Sequence, residues 1–280
     1  MGTGQAVEYV TPTPDGSARR VVIASARPTD ADGLQVQVLR DETELEAVRR
    51  TRDTVLANIS HEFRTPLAAQ LASIELLRDG LGTMDSQSQR ELVTSLQRST
   101  QRLTWLIDNL LESVRIEAGQ LGIRHQDVVF EDVVVAAREL IEPLIAQRGQ
   151  RIEVESTSDV PIIRGDQQRL TQVVVNLLAN ASKFGPAGST ILIHAQAASA
   201  GGLEFYVEDE GAGPSDPDDQ QLFDRFHRAG GEKEPNESGL GLGLFIVDSI
   251  VSRHGGAVRL ERTDRARTRV SVTLPAEAPA

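Results

Sequence analysis

The segment Ile59-Ser60-His61-Glu62-Phe63-Arg64-Thr65-Pro66 determines how the first half of the chain is interpreted. At about 100° per residue, the apolar residues in and after this segment cluster within roughly 80° of arc, and His61 lies about 165° from their mean direction. The pattern therefore predicts a helix with one buried stripe and an exposed histidine on the opposite face. The residues of the stripe are Ile59, Phe63, Leu67, Ile74 and Leu77.

Two polar residues accompany this histidine. Thr65 follows four positions later, on the same helical face, and Glu62 is the immediate neighbour of His61. Pro66 removes one hydrogen bond of the helix, which costs about 3 kcal/mol, and frees the carbonyl of Glu62. An exposed imidazole between a carboxylate and a hydroxyl is typical of a reaction centre, although this segment alone also fits a solvated surface histidine.

Length, charge and composition exclude several classes of protein. A chain of 280 residues has room for two or three domains. The net charge of 29 − 41 = −12 argues against binding to a nucleic-acid backbone. The absence of cysteine excludes disulfides, thiol catalysis and cysteine-ligated metal sites. With neither a signal peptide nor an apolar run of about 18 residues, we expect a cytoplasmic chain, attached to a membrane only if it is part of a longer sensor.

Residues 43–119 have the pattern of a helical hairpin. A helix is predicted over 43–78, and a turn follows at 79–86. A second helix, capped by Ser86 or Ser88, then runs to about Glu117 with leucines at heptad spacing. Two helices cannot cover both of their wide apolar stripes. We therefore expect a homodimer in which two hairpins form an antiparallel four-helix bundle.

The chain on either side of the hairpin has a different character. Residues 1–42 contain strand-like runs at 18–26 and 33–39, and their exit into the helix resembles the end of a PAS sensor domain. Residues 120–280 alternate short strands with helices, which indicates a two-layer α/β sandwich. The fold class is therefore α+β and multidomain. The predicted strands span 127–130, 152–155, 190–195, 203–208, 258–262 and 269–274, and the helices 131–147, 166–183 and 241–254.

One of these helices carries two amides and an ammonium on a single face. Asn176, Asn180 and Lys183 recur at i, i+4 and i+7, directly before Phe184. The two asparagines lie among valines and leucines, where unpaired amides are costly. A metal ion with phosphate oxygens would supply the missing partners, although a solvated polar stripe is the alternative.

Two glycine-rich segments follow. Asp209 ends a predicted strand and precedes Gly211 and Gly213, so its carboxylate could accept a hydrogen bond from an exocyclic amine beside a close backbone approach. The run Ser238-Gly239-Leu240-Gly241-Leu242-Gly243 leads into an apolar helix, where backbone amides form a site for phosphate. Between them, the segment 214–238 contains an aromatic-basic stretch and is a long polar loop of the kind that is usually functional.

Together, these segments resemble a sensor histidine kinase of two-component systems over residues 45–275. The segment that begins at His61 is similar to the family's H box, and Asn176 to Lys183 resembles the N box. Asp209 to Gly213 resembles the G1 box, Phe223 to Phe226 the F box, and Gly239 to Gly243 the G2 box. The resemblance implies a dimerisation and phosphotransfer hairpin, followed by an ATP-binding domain of the type shared with gyrase and heat-shock chaperone ATPases. A response regulator with a receiver domain would be the partner.

The resemblance also implies roles for single residues. His61 would accept the phosphoryl group, and Glu62 would be the general base or the hydrogen-bond partner that orients the imidazole of His61. Thr65 would position water for dephosphorylation of the regulator. Asn180 would hold Mg²⁺, with Asn176 and Lys183 near the phosphates and Phe184 completing the motif. Asp209 would bind the adenine amino group, and the loop 214–238 would be a mobile lid over ATP. The glycines assigned to the nucleotide are Gly211, Gly213, Gly239, Gly241 and Gly243.

Two alternatives accompany this interpretation. A dimeric scaffold that holds ATP without turnover would have the same domains, although the intact His61, Glu62 and Asn180 count against it. A serine-directed kinase of the anti-sigma type shares the ATP domain but lacks a hairpin with an H box.

Overall fold

The computed structural model describes residues 6–12, 19–28, 35–41, 43–80, 82–157, 159–199, 201–214, 220–227, 239–264 and 266–276. The chain divides into two compact units, residues 1–61 and 62–280. The helix that contains the H-box segment crosses the boundary between them.

The first unit contains a three-stranded antiparallel sheet in the order β1-β2-β3. Strands β2 and β3 confirm the two predicted runs, whereas β1 was not predicted. The register of the first pair places Val10 opposite Val21. The strands are β1 (Ala6–Pro12), β2 (Arg19–Pro28) and β3 (Gln35–Asp41).

Two long helices confirm the predicted hairpin, α1 (Thr43–Asp79) and α2 (Ser86–Glu117). Within the second unit they run antiparallel: Gln70 donates to Thr100 at 2.9 Å, and Ser73, later on α1, donates to Ser95, earlier on α2, at 3.4 Å. The prediction that Ser86 or Ser88 caps α2 is wrong. The cap is Asp85, whose carboxylate accepts the backbone N–H groups of positions 87 and 88 at 2.8 and 2.9 Å because it can satisfy two of the free amides of the first turn.

The predicted apolar stripe of α1 is not buried within one chain. Leu67 is 49% exposed and Ile74 is 52% exposed. The buried residues of α1 in the second unit lie on another face and are Glu62, Pro66 and Ser73. The helix continues through Pro66.

The remainder of the second unit is built on a mixed five-stranded sheet in the order β5-β7-β8-β10-β9, in which β5 and β7 pair in parallel and the other pairs are antiparallel. A separate two-stranded pair joins β4 and β6. The strands are β4 (Gln126–Val128), β5 (Arg151–Ser156), β6 (Ile163–Gly165), β7 (Thr190–Ala197), β8 (Leu203–Asp209), β9 (Ala257–Arg262) and β10 (Thr268–Leu274). The helices are α3 (Phe130–Gln147), α4 (Gln167–Phe184), a 3-10 turn at Gln220–Phe223, and α5 (Gly243–Arg253).

The core lies between one face of this sheet and helices α3, α4 and α5, as expected for an α/β sandwich. Alternate residues of β7 and β8 are buried, and Phe205 packs against Phe130 with ring centroids 4.5 Å apart. The other differences from prediction are local. The strand predicted over 127–130 ends at Val128, because Phe130 begins α3 and points into this core, and β6 was not predicted.

Candidate functional site

The polar face of α4 is inserted into an otherwise apolar environment. Asp166 caps α4 by accepting the N–H of Arg169 at 3.2 Å. The valines and leucines of α4 pack in the core. Asn176 is only 1% exposed, and within the described part of the chain neither its amide nitrogen nor its amide oxygen has a hydrogen-bond partner. A buried amide without partners costs about 1–3 kcal/mol, so this side chain is suited to a ligand. Asn180 and Lys183 are half-buried on the same helix.

The end of β8 presents a carboxylate in a protected position. Asp209 is 5% exposed and accepts the N–H of Gly211 at 2.7 Å. Burial raises the pKa of Asp209 to about 6, while the hydrogen bond from Gly211 opposes the shift. A carboxyl group is thus held apart from water at the end of a strand, where a ligand's N–H donors could reach it.

The turn after Asp209 lies against the end of α4. A Cβ atom on Gly211 would be 2.7 Å from the carbonyl oxygen of Phe184, so no larger residue fits without a shift. Gly213 has φ +67°, and Thr268 donates to the carbonyl of Gly211 at 3.0 Å. Phe184 itself is 45% exposed, with the ammonium of Lys183 4.1 Å from its ring centroid. The structure therefore brings the predicted G1 residues beside the end of the N-box helix.

The glycine-rich loop packs on the polar face of α4. A Cβ on Gly239 would lie 3.0 Å from Nζ of Lys183, and one on Gly243 would lie 3.2 Å from the amide nitrogen of Asn180. Gly243 begins α5, and among the described residues no side chain caps this helix. The loop thus lies close to the amide of Asn180 and the ammonium of Lys183, at the N-terminus of a helix.

The described part of the F-box segment is hydrogen-bonded to the glycine-rich loop. Phe226 has φ +64°, which is unusual for a bulky residue, and its N–H donates to the carbonyl of Gly241 at 3.0 Å. Gly241 has φ +66°, and a Cβ there would be 2.3 Å from the carbonyl oxygen of His227. Residues 215–219 and 228–238 of the predicted lid, including Ser238, lie outside the described residues.

The residues around His61 differ in their exposure. His61 and Thr65 are exposed, whereas Glu62 is buried. The Glu62 carboxylate accepts the N–H of Gly239 at 2.7 Å and lies 3.5 Å from the guanidinium of Arg102 on α2. Sequence reasoning placed Glu62 and Gly239 in separate motifs and gave Arg102 no role, because they are far apart in the chain.

Other polar residues hold these elements in place and were also missed. Arg169 pairs with Glu112 of α2 at 2.5 Å, and Arg225 of the F-box segment pairs with Glu117 at the end of α2. His254 is buried and accepts the N–H of Asp166 at 3.0 Å, and burial lowers its pKa. None of these pairs has a sequence spacing that could have revealed it.

Two family profiles match the chain. Residues 51–119 match the His Kinase A (phospho-acceptor) domain, and residues 165–278 match the histidine kinase-, DNA gyrase B- and HSP90-like ATPase. Sensor protein KdpD of Clostridium acetobutylicum is 32% identical over 86% of this chain and 27% of that protein. Sensor histidine kinase WalK of Bacillus subtilis is 29% identical over 87% of this chain and 40% of that protein.

Two solved structures share the fold of this chain. Full-length ShkA in complex with AMPPNP has a TM-score of 0.55 at 28% identity, over 80% of this chain and 46% of that chain. The Acinetobacter baumannii histidine kinase AdeS has a TM-score of 0.54 over 77% of this chain and 98% of that chain, and at 23% identity it supports the fold alone.

The chain belongs to the sensor histidine kinases of two-component systems and carries a HisKA domain followed by an ATPase domain of the gyrase and HSP90 type. It spans 27% to 50% of the length of the first three relatives that it matches. Within the part of the chain that the structure describes, no helix has the length and apolarity needed to cross a membrane.

Proposed function

We propose that this chain is a protein-histidine kinase that transfers the γ-phosphoryl group of ATP to His61 and passes it to an aspartate on the receiver domain of a response regulator. The observation that carries the proposal is the hydrogen bond between Glu62, the residue after the proposed acceptor, and Gly239 of the glycine-rich loop. A contact between residues 177 positions apart joins the segment that would accept phosphate to the loop that would bind it.

The residues at the proposed nucleotide site fit ATP. The amide of Asn176, which has no hydrogen-bond partner among the described residues, needs a hydrogen-bonding ligand. The ammonium of Lys183 lies close to the glycine-rich loop, where it would contact phosphate. Asp209 would accept from the adenine amino group beside Gly211 and Gly213. Phe184, with Gly241 and Gly243, would complete the contacts.

The same residues fit Mg²⁺ bound with ATP. Among the described residues there is no group of three or more acidic, histidine or cysteine side chains that could hold a metal alone. Mg²⁺ in nucleotide sites commonly takes one or two protein oxygens and completes its shell with phosphate and water. Asn180 is on α4, and its side-chain amide lies beside Gly243 at the start of α5. Its amide oxygen would be one such ligand.

The chain's own residues would supply orientation and proton control. ATP with Mg²⁺, when bound, supplies the phosphoryl group and balances its charge. His61 would attack through its unprotonated ring nitrogen, and Glu62 would hold the proton on the other ring nitrogen. Thr65, exposed four residues later, would orient water for hydrolysis of the phosphorylated regulator, which gives the chain a phosphatase activity.

We retain the division into a short β segment at 1–42, related to the end of a PAS domain, a hairpin at 43–119 and an ATP-binding domain at 120–280. A homodimer would cover the exposed apolar side chains of the hairpin. In the second unit these are Leu67, Leu71, Ile74, Leu76, Val93, Ile107, Leu111 and Val114. The net charge of −12 is consistent with a protein partner rather than nucleic acid.

The test is incubation of the full chain with γ-labelled ATP and Mg²⁺. We expect a labelled protein whose phosphate is labile in acid and stable in base, as for phosphohistidine, and no label on a His61→Gln variant. Equal labelling of that variant would show that His61 is not the acceptor.

A further inference from the structure

The Glu62 carboxylate connects three parts of the second unit. Its Oε1 atom accepts the N–H of Gly239 at 2.7 Å, and its Oε2 atom lies 3.5 Å from the guanidinium of Arg102. Glu62 is on α1, Arg102 is on α2, and Gly239 belongs to the glycine-rich loop. The two oxygens therefore have different neighbours, which fixes the rotation of the carboxylate.

Burial makes these neighbours important. The side chain of Glu62 is 6% exposed, and a carboxylate removed from water keeps its charge only where donors or cations compensate for the lost hydration. Gly239 supplies one neutral donor on a loop that would also contact phosphate. Arg102 supplies a full positive charge.

The side chain of Arg102 is 49% exposed, whereas that of Glu62 is 6% exposed, so the ion pair is open to water on the Arg102 side only. The effect of Arg102 on Glu62 is orientation: the guanidinium holds Oε2, so that Oε1 stays directed at its donor.

We propose that Arg102 is a positioning residue for phosphoryl transfer, acting through Glu62. This inference rests on the proposed function, since it assigns to Arg102 the orientation of the group that would hold the proton of His61. Without Arg102 the carboxylate would lose this fixed orientation and would be a poorer acceptor. The chemistry would slow, while the contacts of the nucleotide with α4 and the glycine-rich loop would be unchanged.

The experiment is a double-mutant cycle in the full chain with Arg102→Ala, Glu62→Gln and the double variant. For each we would measure the first-order rate of autophosphorylation at saturating ATP and Mg²⁺, and the Kd for ADP by calorimetry. Arg98→Ala is the matched control. Arg98 is an exposed arginine one turn earlier on α2, whose Nε donates to the carbonyl of Thr94 at 3.3 Å.

We expect Arg102→Ala to lower the rate about tenfold, a fraction of what a complete acid–base group contributes, with the Kd for ADP changed less than about twofold. In the Glu62→Gln background the same substitution should change the rate less than about twofold. Arg102→Lys, which keeps the charge, should recover most of the rate, and Arg98→Ala should match wild type.

Three results would overturn the proposal: an equal rate loss in both backgrounds, no loss with Arg102→Ala, or the same loss with Arg98→Ala. If Arg102→Ala unfolds, the same rates would be measured with Arg102→Gln, which keeps most of the aliphatic stem and removes the charge. Absence of labelling in the wild-type chain would refute the proposed function itself, an outcome distinct from all three.

Discussion

Asp209→Asn should stabilise the nucleotide-free protein at neutral pH and weaken nucleotide binding. The substitution keeps the side-chain shape and an oxygen that can accept the N–H of Gly211, but removes a charge from a position that is 5% exposed. Because burial raises the pKa of Asp209 to about 6, the folded state disfavours the carboxylate that the unfolded chain tolerates.

The pKa values determine the sign and the size of the effect. The unfolded pKa is about 4, so a folded pKa of about 6 corresponds to roughly 2.7 kcal/mol once the group is fully ionised in both states. Because the pKa of Asp209 is raised in the folded state, the wild-type protein keeps its full free energy of unfolding below about pH 4 and loses part of it as the pH rises to about 6 and beyond. Asp209→Asn has no carboxyl group at this position and does not show this loss. Its advantage should therefore grow from near zero at pH 4 to about 2 kcal/mol at pH 8, after allowance for partial solvation.

Urea titrations of the full chain without nucleotide, followed by circular dichroism between pH 4.5 and 8, measure this difference. Glu210→Gln is the matched control, because it removes the neighbouring carboxylate from an exposed position and should change stability by less than about 0.5 kcal/mol. ATP should bind Asp209→Asn about tenfold more weakly, since a neutral acceptor forms the weaker hydrogen bond with an amino group. A stability difference that does not vary with pH, or a less stable variant at pH 8, would refute the reasoning.

Three further substitutions test the site and its supports. Asn176→Leu should stabilise the nucleotide-free chain by about 1–3 kcal/mol in urea titrations and abolish measurable ATP binding in calorimetry, because it removes a buried amide without partners; a destabilised variant that still binds ATP would contradict this. Gly241→Ala should lower the free energy of unfolding by more than about 2 kcal/mol in the same titration, because the new Cβ would clash with the His227 carbonyl. The control is Gly188→Ala, which also has positive φ but has open space around it and should lower the free energy of unfolding by about 1 kcal/mol. Equal losses in the two variants would count against the packing argument. His254→Gln should remove the part of the stability that wild type loses as pH falls below about 6.5, because burial lowers the histidine pKa in the folded state; unfolding free energies with unchanged pH dependence would show that His254 does not titrate on unfolding.

Much of the fold followed from periodicity and motif order. The heptad spacing of α2 and the 3.6-residue pattern of α1 gave both helices almost to their ends, and the glycine-to-helix transition at Gly243 placed α5. The errors occurred where local patterns are ambiguous. The strand predicted over 127–130 included Phe130, but this residue begins α3 and packs against Phe205 in the core, a tertiary contact that local periodicity does not reveal.

The residues of the candidate site were predictable only where a motif contains them. The positions of Asn176, Asp209 and the glycines followed from their segments, but the burial of Glu62 did not. Helical geometry places Glu62 beside an exposed histidine, and the side chain is buried only because Gly239, 177 positions later, packs against it. Arg102 has no sequence signal of its own, because a surface arginine on an amphipathic helix has the same pattern whether or not a buried acid faces it.

The central claim is that this chain phosphorylates itself on His61, and tandem mass spectrometry tests it most directly. The full chain would be incubated with ATP and Mg²⁺, digested at alkaline pH to preserve phosphohistidine, and each phosphopeptide assigned to a residue. We predict one phosphoryl group, located on His61, and none in a chain incubated without ATP. A phosphoryl group on a serine, a threonine or another histidine, with His61 unmodified, would contradict the account.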